Sequence, residues 1–283
     1  MADLDRPIVV VGAARSGTSM TSRVLKRHPD VAFWMEPKYV WRYGRPLAPD
    51  DLRLAADATP RVRRYIRQSF ERYAERAGKP RFMEKTPSNC FRLPFVEAVL
   101  PEARYLHVIR DGRDSTRSAL RMWTKTPDKR ALRRRLTQLE FPLRDAPFYA
   151  AAVFRDVVGR QLFPQKAYVW GPQFPGLREV RDQEGVVAAC AVQWRESVRA
   201  ALAGLAQIPD GRQMTVRFED VMADPVGQMA AILDFLELRP SEEVRAYAET
   251  FIDEGNRTSY DSSLDPADID PYLEPLRTEL GYA

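Results

Sequence analysis

At 283 residues the chain has room for one large α/β domain or two smaller ones, and its 45% hydrophobic and 10% aromatic content is ordinary for a globular protein. A net charge of +5 suits a pocket for a small polyanion and gives no reason to invoke nucleic acid, since most of the arginine excess reads as solvated surface. Two isolated cysteines, Cys90 and Cys190, and two histidines, His28 and His107, supply neither a disulfide framework nor a metal-ligand set.

In chain order, Ile8-Val9-Val10-Val11 is an unbroken apolar run that predicts a buried strand. The small-residue stretch 12–19 follows, then a helix to about 27 that His28-Pro29 ends. A strand is expected over 31–35, running into Glu36-Pro37-Lys38, and Asp50-Asp51 is expected to cap a short helix. Thr59-Pro60 opens a clearer helix, with an N-cap hydroxyl, an apolar face of Val62, Ile66, Phe70, Tyr73 and Ala77, and a stop at Gly78. The eight basic residues from Arg61 to Arg81 are expected to be mainly solvated. Strands over 81–84 and 105–109 alternate with helices over 92–100 and 115–123.

This alternation predicts βαβ units, hence an α/β, P-loop-like three-layer fold with a central, mostly parallel sheet flanked by helices. From 125 to about 175 the alternation stops, and basic then aromatic residues follow; residues 121–180 are expected to form a helical and loop cap within a single domain spanning 1–283. A long helix over 182–206, a strand over 214–218, helices near 226–236 and 241–252, and an irregular acidic tail complete the reading. No run approaches the ~18 apolar residues of a membrane helix and the acidic start carries no secretory signal, so a cytoplasmic location is expected.

Ligands of parallel sheets bind at the carboxyl ends of the strands, and the Gly12 loop, Glu36, Lys85 and Arg110 all fall at that edge. Gly12 and Gly17 have the spacing of a phosphate-binding loop, whose backbone N–H groups and helix dipole hold anions, but Thr18 stands where a nucleotide triphosphatase carries lysine. Arg15 is the one cation inside the loop. Arg110, at the end of a strand, and Ser118, eight residues on, could together hold a second phosphate by a forked contact and a hydroxyl.

The stretch Arg15-Ser16-Gly17-Thr18-Ser19 resembles the 5′-phosphosulfate loop of sulfotransferases that use 3′-phosphoadenosine-5′-phosphosulfate (PAPS). Val108-Ile109-Arg110-Asp111-Gly112-Arg113, with Ser118, resembles their 3′-phosphate segment, and Val216-Arg217-Phe218-Glu219-Asp220-Val221 with Asp224-Pro225 resembles their late strand and acidic turn. The resemblance implies sulfuryl transfer from PAPS to a hydroxyl acceptor (a carbohydrate, a glycolipid or a small metabolite), with 3′-phosphoadenosine-5′-phosphate (PAP) as product and no metal. It implies that Arg15, Ser16, Gly17, Thr18, Ser19, Arg110 and Ser118 bind the nucleotide, with Arg257 and Ser259 folding back over it.

Glu36 sits where tyrosylprotein and many carbohydrate sulfotransferases carry a catalytic glutamate, which makes it the implied base, while Lys85 and Arg15 would stabilise the departing charge. Cytosolic small-molecule sulfotransferases commonly use a histidine instead; here His107 lies inside a strand and reads as a buried neighbour, and Glu84 points away from Lys85. The bland reading of Glu36 is a loop carboxylate paired with Lys38 or Arg42. Physics favours the resemblance, because permanently charged arginines and backbone amides can neutralise a sulfuryl group without Mg²⁺. The rivals are a Mg-dependent nucleotide phosphotransferase (a kinase) and a nucleotide- or polyanion-binding module without turnover. Trp34, Trp41 and Tyr43 could line an acceptor pocket but are better expected in the core.

Overall fold

The computed structural model describes residues 4–123, 150, 169–253 and 264–282. Five strands, β1 (Ile8–Val11), β2 (Val31–Met35), β3 (Arg81–Lys85), β4 (Arg104–Ile109) and β5 (Gln213–Arg217), form one parallel sheet in the order β2-β3-β1-β4-β5. The all-apolar β1 is buried on both faces, as a central parallel strand requires. Val9 and Val11 enter one core layer and Ile8 and Val10 the other, so helices cover both sides of the sheet as the alternation predicts. Register levels the strand ends: Lys85 is paired with both Val10 and Met35, and Ile109 with Arg217.

On the first face lie α2 (Lys38–Trp41), α3 (Pro60–Ala77) and α4 (Leu93–Val99), around Trp41, Phe70, Phe82 and Phe95. Helix α3 starts where the sequence says, with the Thr59 hydroxyl accepting the Val62 N–H at 3.4 Å, and stops at Gly78, whose φ of 64° is the left-handed conformation of a helix C-cap. On the other face lies α1 (Thr18–Leu25). Beyond the central strands come α5 (Gly112–Trp123), α6 (Leu177–Leu205), α7 (Phe218–Ala223), α8 (Pro225–Phe235) and α9 (Glu242–Asp253). No described helix is long and apolar enough to cross a membrane.

Several expectations need correction. Asp50-Asp51 caps no helix. The short turn of 3₁₀ helix comes later, at Ala55–Asp57, because Asp51 is buried and takes hydrogen bonds from Arg42, Ser88 and the Gln173 backbone N–H. Arg67 and Arg81 are not solvated: Arg67 donates to the Val99 carbonyl, and Arg81 serves the Arg6, Leu236 and Glu237 carbonyls. The acidic tail is not irregular throughout, since it contains α10 (Pro266–Leu273) and α11 (Leu276–Glu279). Helix α6 begins five residues early, after Gly176, and is kinked at Gly185. Trp34, Trp41 and Tyr43 are core residues, as expected. Most of the expected cap, 124–149 and 151–168, lies outside the described residues.

Two rejected candidates for the base are structural. His107 is fully buried, its Nδ1 3.3 Å from Thr215 Oγ1, and burial lowers its pKa to about 4. Glu84, also fully buried, accepts from Trp41 Nε1, Thr86 Oγ1 and Asn89 Nδ2. Desolvation nevertheless dominates those bonds and pushes Glu84 up to about 7. Their linkage has opposite signs. The His107 contribution is intact above its unfolded pKa and lost as pH falls through about 4, whereas that of Glu84 is intact below its unfolded pKa and lost as pH rises through about 7. Glu84→Gln removes only the second effect. Its stability deficit relative to wild type, measured by urea unfolding, should therefore shrink by roughly 2–3 kcal/mol between pH 5 and pH 8; a deficit that does not change with pH would contradict this account of Glu84.

Candidate active site

The loop after β1 is shaped by two glycines that meet neighbours too closely for a side chain. A Cβ at Gly12 would lie 2.5 Å from the Val108 carbonyl oxygen, so the loop can cross β4 only as glycine. Gly17 is left-handed at φ 88°, and its Cβ would come 2.1 Å from Phe218. Gly17 is the N-cap of α1, with no side chain capping it. The first N–H groups of that helix, from Thr18 and Ser19, thus have no intrahelical acceptor, the arrangement that suits a helix N-terminus to an anion. Ser16 turns inward: its hydroxyl is buried and its N–H donates to the Ala13 carbonyl at 3.2 Å. Thr18 is buried and Ser19 half-buried.

Glu36 and Lys85 are brought together at the end of the β2–β3 pair. The Glu36 N–H donates to the Lys85 carbonyl at 3.0 Å, extending the ladder by one bond, and Lys85 Nζ donates to Glu36 Oε1 at 2.9 Å. Lys85, with its side chain 3% exposed, is therefore a direct partner of Glu36. Glu36 has φ 53°, a left-handed conformation that a non-glycine residue holds only when its surroundings enforce it, at a cost on the order of 1–3 kcal/mol. Arg15, at φ 72°, is held in the same way.

Arg15 meets the second constellation. Its Nε donates to Ser118 Oγ at 2.9 Å, and its carbonyl accepts from Arg110 Nη1 at 3.4 Å. The two segments that sequence reasoning assigns to two phosphates therefore touch. Arg15 is solvent-exposed; partial desolvation by the protein around it, followed by repulsion from Arg121 and Arg23, lowers its pKa. Burial likewise lowers that of Arg110, against the opposing pull of Asp114 and Glu219. The buried guanidinium of Arg110, in contact with the backbone of Arg15, whose own side chain holds the Ser118 hydroxyl, makes this cluster electropositive and favours an anion there. Arg257 and Ser259 lie outside the described residues.

What sequence reasoning missed is the brace behind these groups. The Phe218 ring lies against Gly17 on one side, and the Arg110 guanidinium stacks 4.2 Å from its centroid. Glu219 accepts the Asp111 N–H at 3.0 Å, and Trp194 Nε1 donates to the Arg110 carbonyl at 3.1 Å. The only signal for Phe218 and Glu219 was their place in a late motif; Trp194 read simply as an apolar residue on a helix.

A family model described as the sulfotransferase family matches residues 7–151 and 151–242. Among solved structures, the chain resembles a sulfotransferase domain from the curacin biosynthetic pathway at 14% identity and TM-score 0.59, covering 100% of this chain and 99% of that one. This likeness shows a shared fold. Weaker likenesses are to sulfotransferase STF1 of Mycobacterium tuberculosis H37Rv (15% identity, TM-score 0.49, 96% and 77% of the two chains) and to the sulfotransferase domain of the Synechococcus PCC 7002 olefin synthase (17%, 0.48, 99% and 97%). No curated protein sequence matches the chain.

The Phe218 brace yields a direct expectation. Gly17→Ala forces a methyl into the ring and strains a left-handed backbone, and overpacking of this kind costs about 1–3 kcal/mol. Thermal melting should register that loss, and an unchanged melting temperature would mean that Phe218 does not hold the loop.

Proposed function

This chain belongs to the sulfotransferase family, and from that membership we propose that it moves a sulfuryl group from PAPS to a hydroxyl acceptor, with Glu36 as general base. The reading rests on one arrangement: a helix N-terminus lacking the Walker lysine, with an Arg15–Ser118–Arg110 cluster touching its loop and a Glu36–Lys85 pair at the same strand-end edge. The fit is chemical. The N–H groups at the α1 N-terminus supply neutral donors for a 5′-phosphosulfate with Arg15 beside them, and the buried guanidinium of Arg110 supplies charge for a 3′-phosphate.

The donor brings an activated sulfur whose bond to the phosphate oxygen breaks as the acceptor oxygen bonds to it in line. The chain supplies the rest. Backbone N–H groups of Gly17, Thr18 and Ser19 hold the 5′ end, and Arg110 and Ser118 hold the 3′-phosphate. Arg15 exchanges Ser118 for the phosphosulfate oxygens. Glu36 takes the acceptor proton, a role worth ~10²–10⁴-fold when the base is well placed. Lys85 serves twice: it orients Glu36, and it turns toward the bridging oxygen as charge develops there. The strained backbone of Glu36 supports this assignment, since strain of this kind clusters at active sites.

Two measurements check the reading. Calorimetry without Mg²⁺ should give PAP binding ~10–100-fold tighter than AMP, the value of a charge-assisted 3′-phosphate contact; equal affinities would remove Arg110 and Ser118 from the site. Glu36→Gln should keep PAP affinity while transfer from labelled PAPS to an accepted hydroxyl falls ~10²–10⁴-fold. Turnover close to wild type would move the base elsewhere.

A further inference from the structure

Helices α10 and α11 lie beyond the residues matched by the family model, yet they are tied to the turn that carries Arg110. Arg277, on α11 and nearly buried, donates from Nε and Nη2 to Asp111 Oδ2 at 3.2 and 3.1 Å. Asp111 immediately precedes α5 and holds its first turn: its Oδ1 accepts the Arg113 N–H at 2.7 Å and its carbonyl accepts the Ser115 N–H at 3.0 Å. It therefore stands between Arg110, its chain neighbour, and the helix that carries Ser118. A second tie is the forked pair from Arg113 to Asp270, at 2.8 and 2.6 Å. A third runs through Tyr282, whose hydroxyl donates at 3.2 Å to the Glu219 carboxylate that also receives the Asp111 N–H.

The apolar contacts agree with the polar ones. Ile269, Leu273 and Leu276 pack in one cluster with Trp194 and with Ala13 of the β1–α1 loop. A Cβ on Gly112 would meet Trp194 at 2.9 Å and Leu273 at 3.0 Å, so the C-terminal helices close directly on the turn. A segment needed only to finish a core would bury its leucines. This one also spends two forked arginine–carboxylate contacts on one side of one turn, and forked contacts fix geometry as well as adding energy.

We propose that the C-terminal helix pair is a clasp that sets the position of the Arg110–Ser118 phosphate subsite, with Arg277 and Asp270 as positioning residues that never touch the nucleotide. The proposal rests on the reading of Arg110 and Ser118 as the holders of a 3′-phosphate. It predicts that loosening the clasp costs affinity for the 3′-phosphate and spares the rest of the nucleotide.

The test is calorimetry of PAP and AMP on the full chain, with thermal melting alongside, for wild type, Arg277→Met, Arg277→Lys and Asp270→Asn. Arg277→Met should cut the preference for PAP over AMP by roughly 10-fold, a coupling usual for residues in one contact network, with AMP affinity within about 2-fold of wild type. Asp270→Asn, which opens a half-exposed pair, should cut it by about 3-fold, and Arg277→Lys should recover part of the loss. If wild type prefers PAP and the variants keep that full preference while only melting earlier, the clasp is merely structural and the proposal falls alone. If wild type shows no preference, the 3′-phosphate reading falls and takes the proposal with it. Should Arg277→Met fail to fold, the PAP-to-AMP ratio of Asp270→Asn decides.

Discussion

The placement of one aromatic ring constrains the site more than any single charged group. Phe218, the first residue of α7 just after β5, fills the space against Gly17 and carries the Arg110 guanidinium on its face. A buried cation is costly alone. The ring offsets that cost by offering its electron-rich face to the charge, and it occupies the space that a side chain on Gly17 would need. The β1–α1 loop and the β4–α5 turn thus take their relative position from the first residue of α7, directly after β5. Glu219 and Trp194 repeat the arrangement with hydrogen bonds to the Asp111 N–H and the Arg110 carbonyl.

The other half of the edge works by a different device. Lys85 holds Glu36 by its carbonyl and by its ammonium, so backbone and side chain of the carboxylate are fixed by one partner. That double grip explains how a glutamate can be kept in a left-handed conformation. It also makes Lys85 the pivot of the proposed chemistry, since the cation that orients the base lies beside it at the strand edge where charge would develop.

Much of this was legible in the sequence, for definite reasons. The run Ile8–Val11 could be only a strand buried on both faces, and the Gly12–Gly17 spacing followed by Thr18 pointed to an anion other than a Mg-bound triphosphate. Those are local patterns, set by neighbours in the chain. The misses are contacts made across it. Asp51 looked like a cap but is buried with Arg42 and Ser88, and Arg81 looked like a surface cation but serves three carbonyls more than seventy residues away. The acidic tail looked unstructured because its charges had no visible partners, yet Asp270 and Arg277 find theirs at Arg113 and Asp111.

The central claim is that this strand edge is built for a nucleotide with two anionic ends, one on the α1 N-terminus and one between Arg110 and Ser118. A crystal structure of the chain with PAP, grown without divalent metal, tests it most directly. The account predicts the 5′-phosphate within hydrogen-bond distance of the Gly17, Thr18 and Ser19 N–H groups, the 3′-phosphate on Arg110 and Ser118, and the Arg15–Ser118 contact replaced. A 3′-phosphate facing solvent, with Arg110 and Ser118 untouched, would contradict it.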